Sequence, residues 1–332
     1  MARPVDAGYD PAQLQRVRHL VAVSEGDPLA PFALRPEKSY VFAADGSAAV
    51  GYRIRVGTAV ASGDPVGAAD GWVAAIDAFV AEARRRRLRV AVLGAGERAR
   101  PMWEKYGFGH LAIGRDVVVQ RSEFTVQGRR FRNVRQAIQR SRNAGVTVEL
   151  HREGDLRPEQ ILELRGLMKR SRRDEPRGFS MILGGLFTGR EPDAVFAVAR
   201  VRDGALVGAH RYLWAGKQDL SLDYPLRADK APNGMDERLI AEVVEWGATR
   251  GVERVSLAFA PFPDLFANRG HLGLLGKVGY GLAHLLDPLI KVERLYRYLR
   301  KFHAFDQERY VMLRWRQLLP VLVALLLLEF GG

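Results

Sequence analysis

The segment SLDYPLR, Ser221 to Arg227, sets Asp223 four residues ahead of Arg227 at the close of an apolar, strand-like run. A carboxylate in such a place can hold an ammonium group, and a guanidinium can clamp a phosphate or steady an oxyanion with fixed donors. A mutual salt bridge that pins the loop is the competing structural reading, and spacing alone does not separate the two. Other chemistries fall away more easily. The chain has no cysteine, which removes disulfides, thiolate metal sites and cysteine nucleophiles. Its seven histidines show no metal-ligand spacing, and there is no P-loop, G-x-S-x-G or H-E-x-x-H motif. His210 and His303 are the histidines that stand near informative charges, and hydrogen bonding alone accounts for most histidines so placed.

The elements that must carry Asp223 and Arg227 read as alternating strands and helices. SYVFAAD turns at Asp45-Gly46 into two strands that end at Gly63-Asp64-Pro65. A helix follows with Trp72, Ala75, Ile76, Phe79, Val80 and Ala83 on one face, and it closes in Arg84 to Arg87, where cations complement the negative helix end. LRVAVLGA reads as a buried strand, then a short helix through Trp103 and Tyr106, then the strand HLAIGRDVVV. In the second half VTVEL is a strand and PEQILELRGLMKRSRR a helix. AVFAVARVRDGALVGAHRYLW is a hairpin turning at Asp203-Gly204, followed by the strand QDLSLDY. The next helix runs from Gly234 to Arg250, with Asn233 expected as its N-cap and Gly251 as its C-cap, before the strand VERVSLAFAP. His271 to Ile290 reads as a hydrophobic lid or groove, and a helix through Val292, Leu295, Tyr296 and Leu299 leads into KFHAFDQERY. The recurring order of hairpin, strand, helix and strand suggests two similar α/β units. The predicted division is 1–127, a basic linking helix at 128–145, and 146–332.

Charge gives a second line of inference. The 332 residues are 47% hydrophobic and 27% charged, as in a globular protein, with 51 Lys+Arg against 38 Asp+Glu and a formal charge of +13. Such an excess attracts polyanions, either nucleic acid or an anionic membrane surface. It is concentrated between Gly128 and Gly145, where Arg129, Arg130, Arg132, Arg135, Arg140 and Arg142 occur with no acid among them. Phe131, Val134 and Ile138 form an apolar stripe beside them, so the segment reads as an anion-binding helix. No secretory signal is visible at the start. The apolar run LLPVLVALLLLEF, Leu318 to Phe330, falls short of the ~20 residues needed to span a bilayer and is expected to be buried, with a place in a membrane surface as the alternative.

Several motifs together resemble the catalytic domain of bacterial phosphatidylglycerol lysyltransferases, the multiple peptide resistance factors, from about Tyr40 onward. They are Ser221-Leu222-Asp223, Ala231-Pro232-Asn233-Gly234, Arg254-Val255-Ser256-Leu257 with Phe259-Ala260-Pro261, and the Gly63-Asp64-Pro65 turn. Phe124 to Arg135, Lys301-Phe302 and Arg309-Tyr310 also match. The resemblance implies two tandem acetyltransferase-like (GNAT) domains with mixed sheets, joined by the basic helix, with a tunnel between them. It implies transfer of an aminoacyl group from aminoacyl-tRNA to phosphatidylglycerol, with no cofactor and no metal. Asp223 and Arg227 would be catalytic, although the family's Arg stands three residues after its Asp, where this chain has Leu226. His210, Tyr212, Asn233, Lys301, Arg309 and Tyr310 would bind substrate, and Arg129, Arg132 and Arg135 would meet tRNA or anionic lipid. A cytoplasmic location, with peripheral attachment to the inner face of the membrane, follows from the same resemblance. Alternatives are transfer to a small soluble amine, an acyl-CoA-dependent N-acetyltransferase, for which Ala231 to Gly234 is a poor phosphate loop, and a non-catalytic polyanion binder.

Overall fold

The computed structural model describes residues 10–171, 185–261 and 292–330. The lid expected at His271 to Ile290 lies outside the described residues.

Among the described residues twelve strands form one mixed sheet rather than the two separate sheets expected for tandem units. The first half supplies β1 (Ser39–Phe42), β2 (Ala48–Arg55), β3 (Thr58–Ser62), β4 (Val66–Gly67), β5 (Arg89–Gly96) and β6 (Gly109–Gln120). The second supplies β7 (Thr147–Arg152), β8 (Val195–Arg200), β9 (Leu206–Ala215), β10 (Asp219–Arg227) and β11 (Arg254–Pro261). The last strand, β12 (Phe305–Leu313), inserts between β5 and β6, giving the order β1-β2-β3-β5-β12-β6-β11-β10-β9-β8-β7, with β4 on β2. The halves are therefore joined by the β6–β11 ladder, and the C-terminal strand completes the N-terminal half.

Helices cover both faces. α1 (Pro11–Val23), capped by Asp10, packs with the 3₁₀ turn Ala30–Leu34 against Ala49, Val66 and Leu213. α2 (Trp72–Arg85) and α3 (Arg100–Glu104) cover the first half, the former through the predicted Trp72, Ala75, Ile76, Phe79, Val80 and Ala83. The basic helix is α4 (Arg132–Asn143), shorter than expected because 128–131 form a turn. It is no bare linker: Phe131, Val134 and Ile138 enter the core of α6 (Met235–Ala248) with Leu239, Ile240 and Val243. α5 (Pro158–Ser171) lies over Phe196, Val198 and Leu226. α7 (Val292–Arg300) packs beside β11, and α8 (Leu318–Phe330) lies on β2, β3 and β5.

The start of α6 differs from expectation. Gly234, not Asn233, is its N-cap, with φ +87°. Only glycine adopts this conformation freely, and a Cβ at 234 would fall on the Ala137 carbonyl oxygen of α4. The Ala-Pro-Asn-Gly marker thus sets how closely α6 approaches α4. Asn233 itself is exposed.

β10 and β11 define the opening that matters for function. They run parallel and pair only at Asp219–Ser221 with Arg254–Ser256, a junction clamped by Arg254 Nε on Asp219 Oδ1 at 2.8 Å. Beyond Ser221 the two strands separate, β10 continuing on β9 to Arg227 and β11 on β6 to Pro261. Pro225, which has no N–H to donate, is tolerated in a strand paired on one side only.

Candidate active site

Asp223 does not end its strand. It is the extra residue of a β-bulge, because Leu222 pairs with Tyr212 while Tyr224 pairs with Arg211. Its carboxylate accepts from Arg211 Nη1 at 2.6 Å, and Arg211 Nε donates to Glu153 Oε2 at 2.7 Å. Glu153 Oε1 in turn accepts the Phe187 amide at 2.8 Å. The Arg211 and Asp223 side chains are wholly buried. This cluster ties β9, β10 and the turn after β7.

Arg227 leaves the sheet on the opposite side. Adjacent residues on β9 point to opposite faces; Arg211 holds Asp223, whereas His210 belongs to the face that carries Arg227. His210 contacts Asp236 Oδ1 through Nε2 and the Tyr212 hydroxyl through Nδ1, each at 3.2 Å. Arg227 Nη1 donates to the other Asp236 oxygen, while Nη2 donates to the Ala231 carbonyl at 3.0 Å. The expected partnership of Asp223 and Arg227, whether as a joint site or as a salt bridge, is therefore replaced by two sites back to back. Burial alone would raise the Asp236 carboxyl, but His210 and Arg227 outweigh it and hold Asp236 below the usual carboxylate range. Arg227 keeps 39% of its side chain exposed, against none for Arg211.

The same end of α6 gathers further groups. Glu237 pairs with Lys301, whose ammonium lies 4.5 Å from the Tyr298 ring centre. The Tyr298 hydroxyl is buried and has no hydrogen-bond partner among the described residues. Burial first, then the charges of Asp236 and Glu237, push Tyr298 well above its usual pKa, so it stays a donor. Tyr212 is raised likewise, by burial and then by Asp236. The basic helix borders this end: Ala137 of α4 abuts Gly234, and Arg130 Nη2 donates to the His303 carbonyl at 3.2 Å. Arg129 and Arg132 are exposed, while Arg135 Nη1 is used on the carbonyls of Val126 and Gly128 at 3.1 and 2.7 Å. Sequence reasoning missed Asp236, Glu237 and Tyr298; the signal available was a pair of acids in the first turn of a helix that follows a cationic strand end.

Arg309, expected to hold a phosphate, faces carboxylates instead. Nη2 meets Asp27 Oδ1 at 2.6 Å, Nε meets Asp116 Oδ2 at 2.7 Å, and Nη1 lies 3.8 Å from Asp64. The guanidinium is fully enclosed and engaged by these carboxylates. Burial opposes its charge, but the three carboxylates hold its pKa far above normal. Tyr310 is committed to the first half, donating to Glu308 Oε2 at 2.7 Å under the Arg100 guanidinium.

One guanidinium cannot neutralise three buried acids. Burial, and then the Asp27 charge, push Asp64 up to about 7 despite Arg309 and the Gly96 amide. An unfolded chain titrates Asp near ~3.9. Between these values the folded protein keeps a proton that the unfolded chain has lost, so the contribution of Asp64 to stability falls as pH rises through that window. Asp64→Asn removes the titration while keeping an acceptor for Gly96. Thermal midpoints should show the variant gaining on the wild type from about pH 4 to about pH 7; a constant difference would count against this assignment.

A cavity of about 840 Å³ lies elsewhere, between α1, the 189–194 segment, and Trp246 and Arg250 at and just past the far end of α6. Asp236 and Trp246 are ten positions, or about 15 Å, apart along α6, so that cavity is not part of the Arg227 site. Among the described residues no cluster of metal-ligating side chains occurs.

A family model described as phosphatidylglycerol lysyltransferase, C-terminal, matches residues 18–313. The chain belongs to this family. An MprF-like domain protein of Mycobacterium tuberculosis is 44% identical over 337 residues, covering 98% of this chain and 69% of that protein. The lysylphosphatidylglycerol biosynthesis bifunctional protein LysX of Mycobacterium avium is 33% identical over 300 residues, covering 89% of this chain. The chain spans only 25% of that relative's length. Among solved structures, L-PGS from Bacillus licheniformis superposes with a TM-score of 0.81 at 19% identity, covering 98% of this phosphatidylglycerol lysyltransferase-family chain and 97% of the other. A C-terminal domain from Agrobacterium fabrum, assigned to a lysylphosphatidylglycerol synthetase, gives 0.79 at 20% identity over 97% and 98% of the two chains. At these identities the structures establish the fold alone.

Proposed function

We propose that this chain moves an aminoacyl group, lysyl or similar, from aminoacyl-tRNA to a hydroxyl of phosphatidylglycerol. The family match across residues 18–313 carries this reading. We take the two halves as paired acetyltransferase-like units whose shared opening, where β10 parts from β11, admits the substrates.

The reaction is a transesterification. The lipid hydroxyl oxygen attacks the aminoacyl carbonyl, the bond to the tRNA ribose breaks, and the hydroxyl proton ends on the ribose oxygen. The ester is already activated, so no nucleotide loop or covalent nucleophile is required. Alignment in a site from which water is excluded contributes up to ~7–11 kcal/mol of the barrier. Arg227 supplies a fixed donor to the developing oxyanion, with the unpartnered Tyr298 hydroxyl as a second donor at the same end of α6. Ionised Asp236, oriented by His210 and Tyr212, holds the donor's α-ammonium. Lys301 turns from Glu237 to the lipid phosphate, and Arg129 and Arg132 meet the RNA backbone.

Incubation with a panel of labelled aminoacyl-tRNAs and phosphatidylglycerol vesicles tests the donor. Label from lysyl-tRNA, or from another basic aminoacyl-tRNA, should appear in the lipid. Release of label from none of the panel would overturn the proposal.

A further inference from the structure

From Leu318 to Leu328 α8 is apolar all round, yet among these residues only Val321, Ala324 and Leu328 are buried, on the sheet beside Val60, Leu93 and Val311. Burial of the whole helix, the expectation from its composition, is not what the fold provides. Leu318, Leu319, Leu322, Val323, Leu326 and Leu327 are between 39% and 75% exposed. At 3.6 residues per turn these six positions fill an arc of about 180°, and the three buried ones sit in the opposite arc. Trp315, 57% exposed, lies over Gly109 at the head of β6, the strand that also carries Leu111, which is 46% exposed. An uninterrupted half-cylinder of leucine and valine extending to a tryptophan is more apolar surface than a monomer leaves to water without use.

We propose that this face of α8, with Trp315 at its edge, seats the protein in the surface of an anionic phospholipid bilayer. Two observations select that occupant over a protein groove. First, Arg314 to Leu328 contain two arginines and no acid, with Arg316 exposed beside Trp315, and the one acid of α8, Glu329, stands at its far end; the arrangement suits a headgroup layer above acyl chains. Second, a groove-binding helix offers a narrow stripe, whereas this helix offers its entire free half. At 13 residues, about 20 Å, the helix lies along the surface and does not cross it.

This inference rests on the proposed lipid acceptor only for its purpose, not for its geometry, and the two can fail separately. Leu322→Asp with Leu326→Asp places two charges in the middle of the exposed arc and touches none of the buried stripe. Co-sedimentation of the full chain with phosphatidylglycerol/phosphatidylcholine vesicles should fall about tenfold or more in this variant. Transfer to dispersed short-chain phosphatidylglycerol should remain at the wild-type rate. In the wild type, brominated lipid should quench tryptophan fluorescence, and Trp315→Phe should remove most of that quenching; this second readout does not depend on how the aspartate variant folds. Equal vesicle binding by wild type and variant, or a wild-type dimer that the variant converts to monomer with vesicle binding intact, would overturn the inference. Vesicle binding without any transfer would instead overturn the proposed reaction.

Discussion

Replacing Arg309 with methionine is expected to destabilise the protein by about 3–5 kcal/mol, the range for removing one partner of a buried ion pair. The site argues for the upper part of that range. Asp27 comes from the loop after α1, Asp64 from the turn between β3 and β4, and Asp116 from the middle of β6, so the guanidinium holds together three segments distant in sequence. It also accounts for a hydrogen bond to the Gly94 carbonyl at 3.2 Å. Without it the carboxylates must take up protons or admit water. Against a typical total stability of about 5–15 kcal/mol, such a loss leaves little margin. Urea unfolding followed by circular dichroism measures the shift. Adding Asp64→Asn to Arg309→Met should recover part of it, because one of the stranded charges is gone. A wild-type midpoint for Arg309→Met would show that the cluster is not what joins β12 to the first half.

The largest effect on activity is expected at Arg227. As a preorganised donor to the oxyanion it should be worth about 10²–10³ in turnover, while the part-exposed ion pair with Asp236 contributes only about 0–1 kcal/mol to stability. Arg227→Ala should thus be nearly inactive with a thermal midpoint close to wild type. Asp223→Ala should behave in the opposite sense: it strips a partner from fully buried Arg211, so any lost activity should come with lost stability. Steady-state transfer assays beside melting curves separate the two patterns. Arg227→Ala turnover within twofold of wild type would remove Arg227 from the proposed chemistry.

Why the sequence pointed to Asp223 and Arg227 as a pair is instructive. Strict alternation places residues four apart on the same face of a strand. The bulge at Asp223 inserts one residue, and everything after it changes face relative to everything before. No side-chain pattern announces such a bulge. The strands themselves were legible where alternation or β-branched runs were clean, as in VFAVAR and RVAVLGAG, and the Asp203-Gly204 turn fell where expected. β12 escaped because Asp306, Glu308 and Arg309 break its apolar pattern, and Arg309 is charged there because its partners are on other strands. α1 went unread although Leu14, Val17 and Val21 carry a helical stripe. The apolar tail was recognised, but composition alone could not say that one stripe of it meets the sheet while the rest faces outward. Motif resemblance pointed to the start of α6, and Asp236 and Tyr298, the further members of the proposed site, became visible only through packing.

The central claim is that a tRNA-borne ester meets a lipid hydroxyl on this protein. Its most direct test is a single-turnover reaction of the purified chain with labelled lysyl-tRNA, run with and without phosphatidylglycerol. The account predicts that deacylation of the tRNA accelerates only when the lipid is present, with label entering the lipid in equal amount. Deacylation at the same rate without the lipid, or label arriving in a soluble amine, would contradict it.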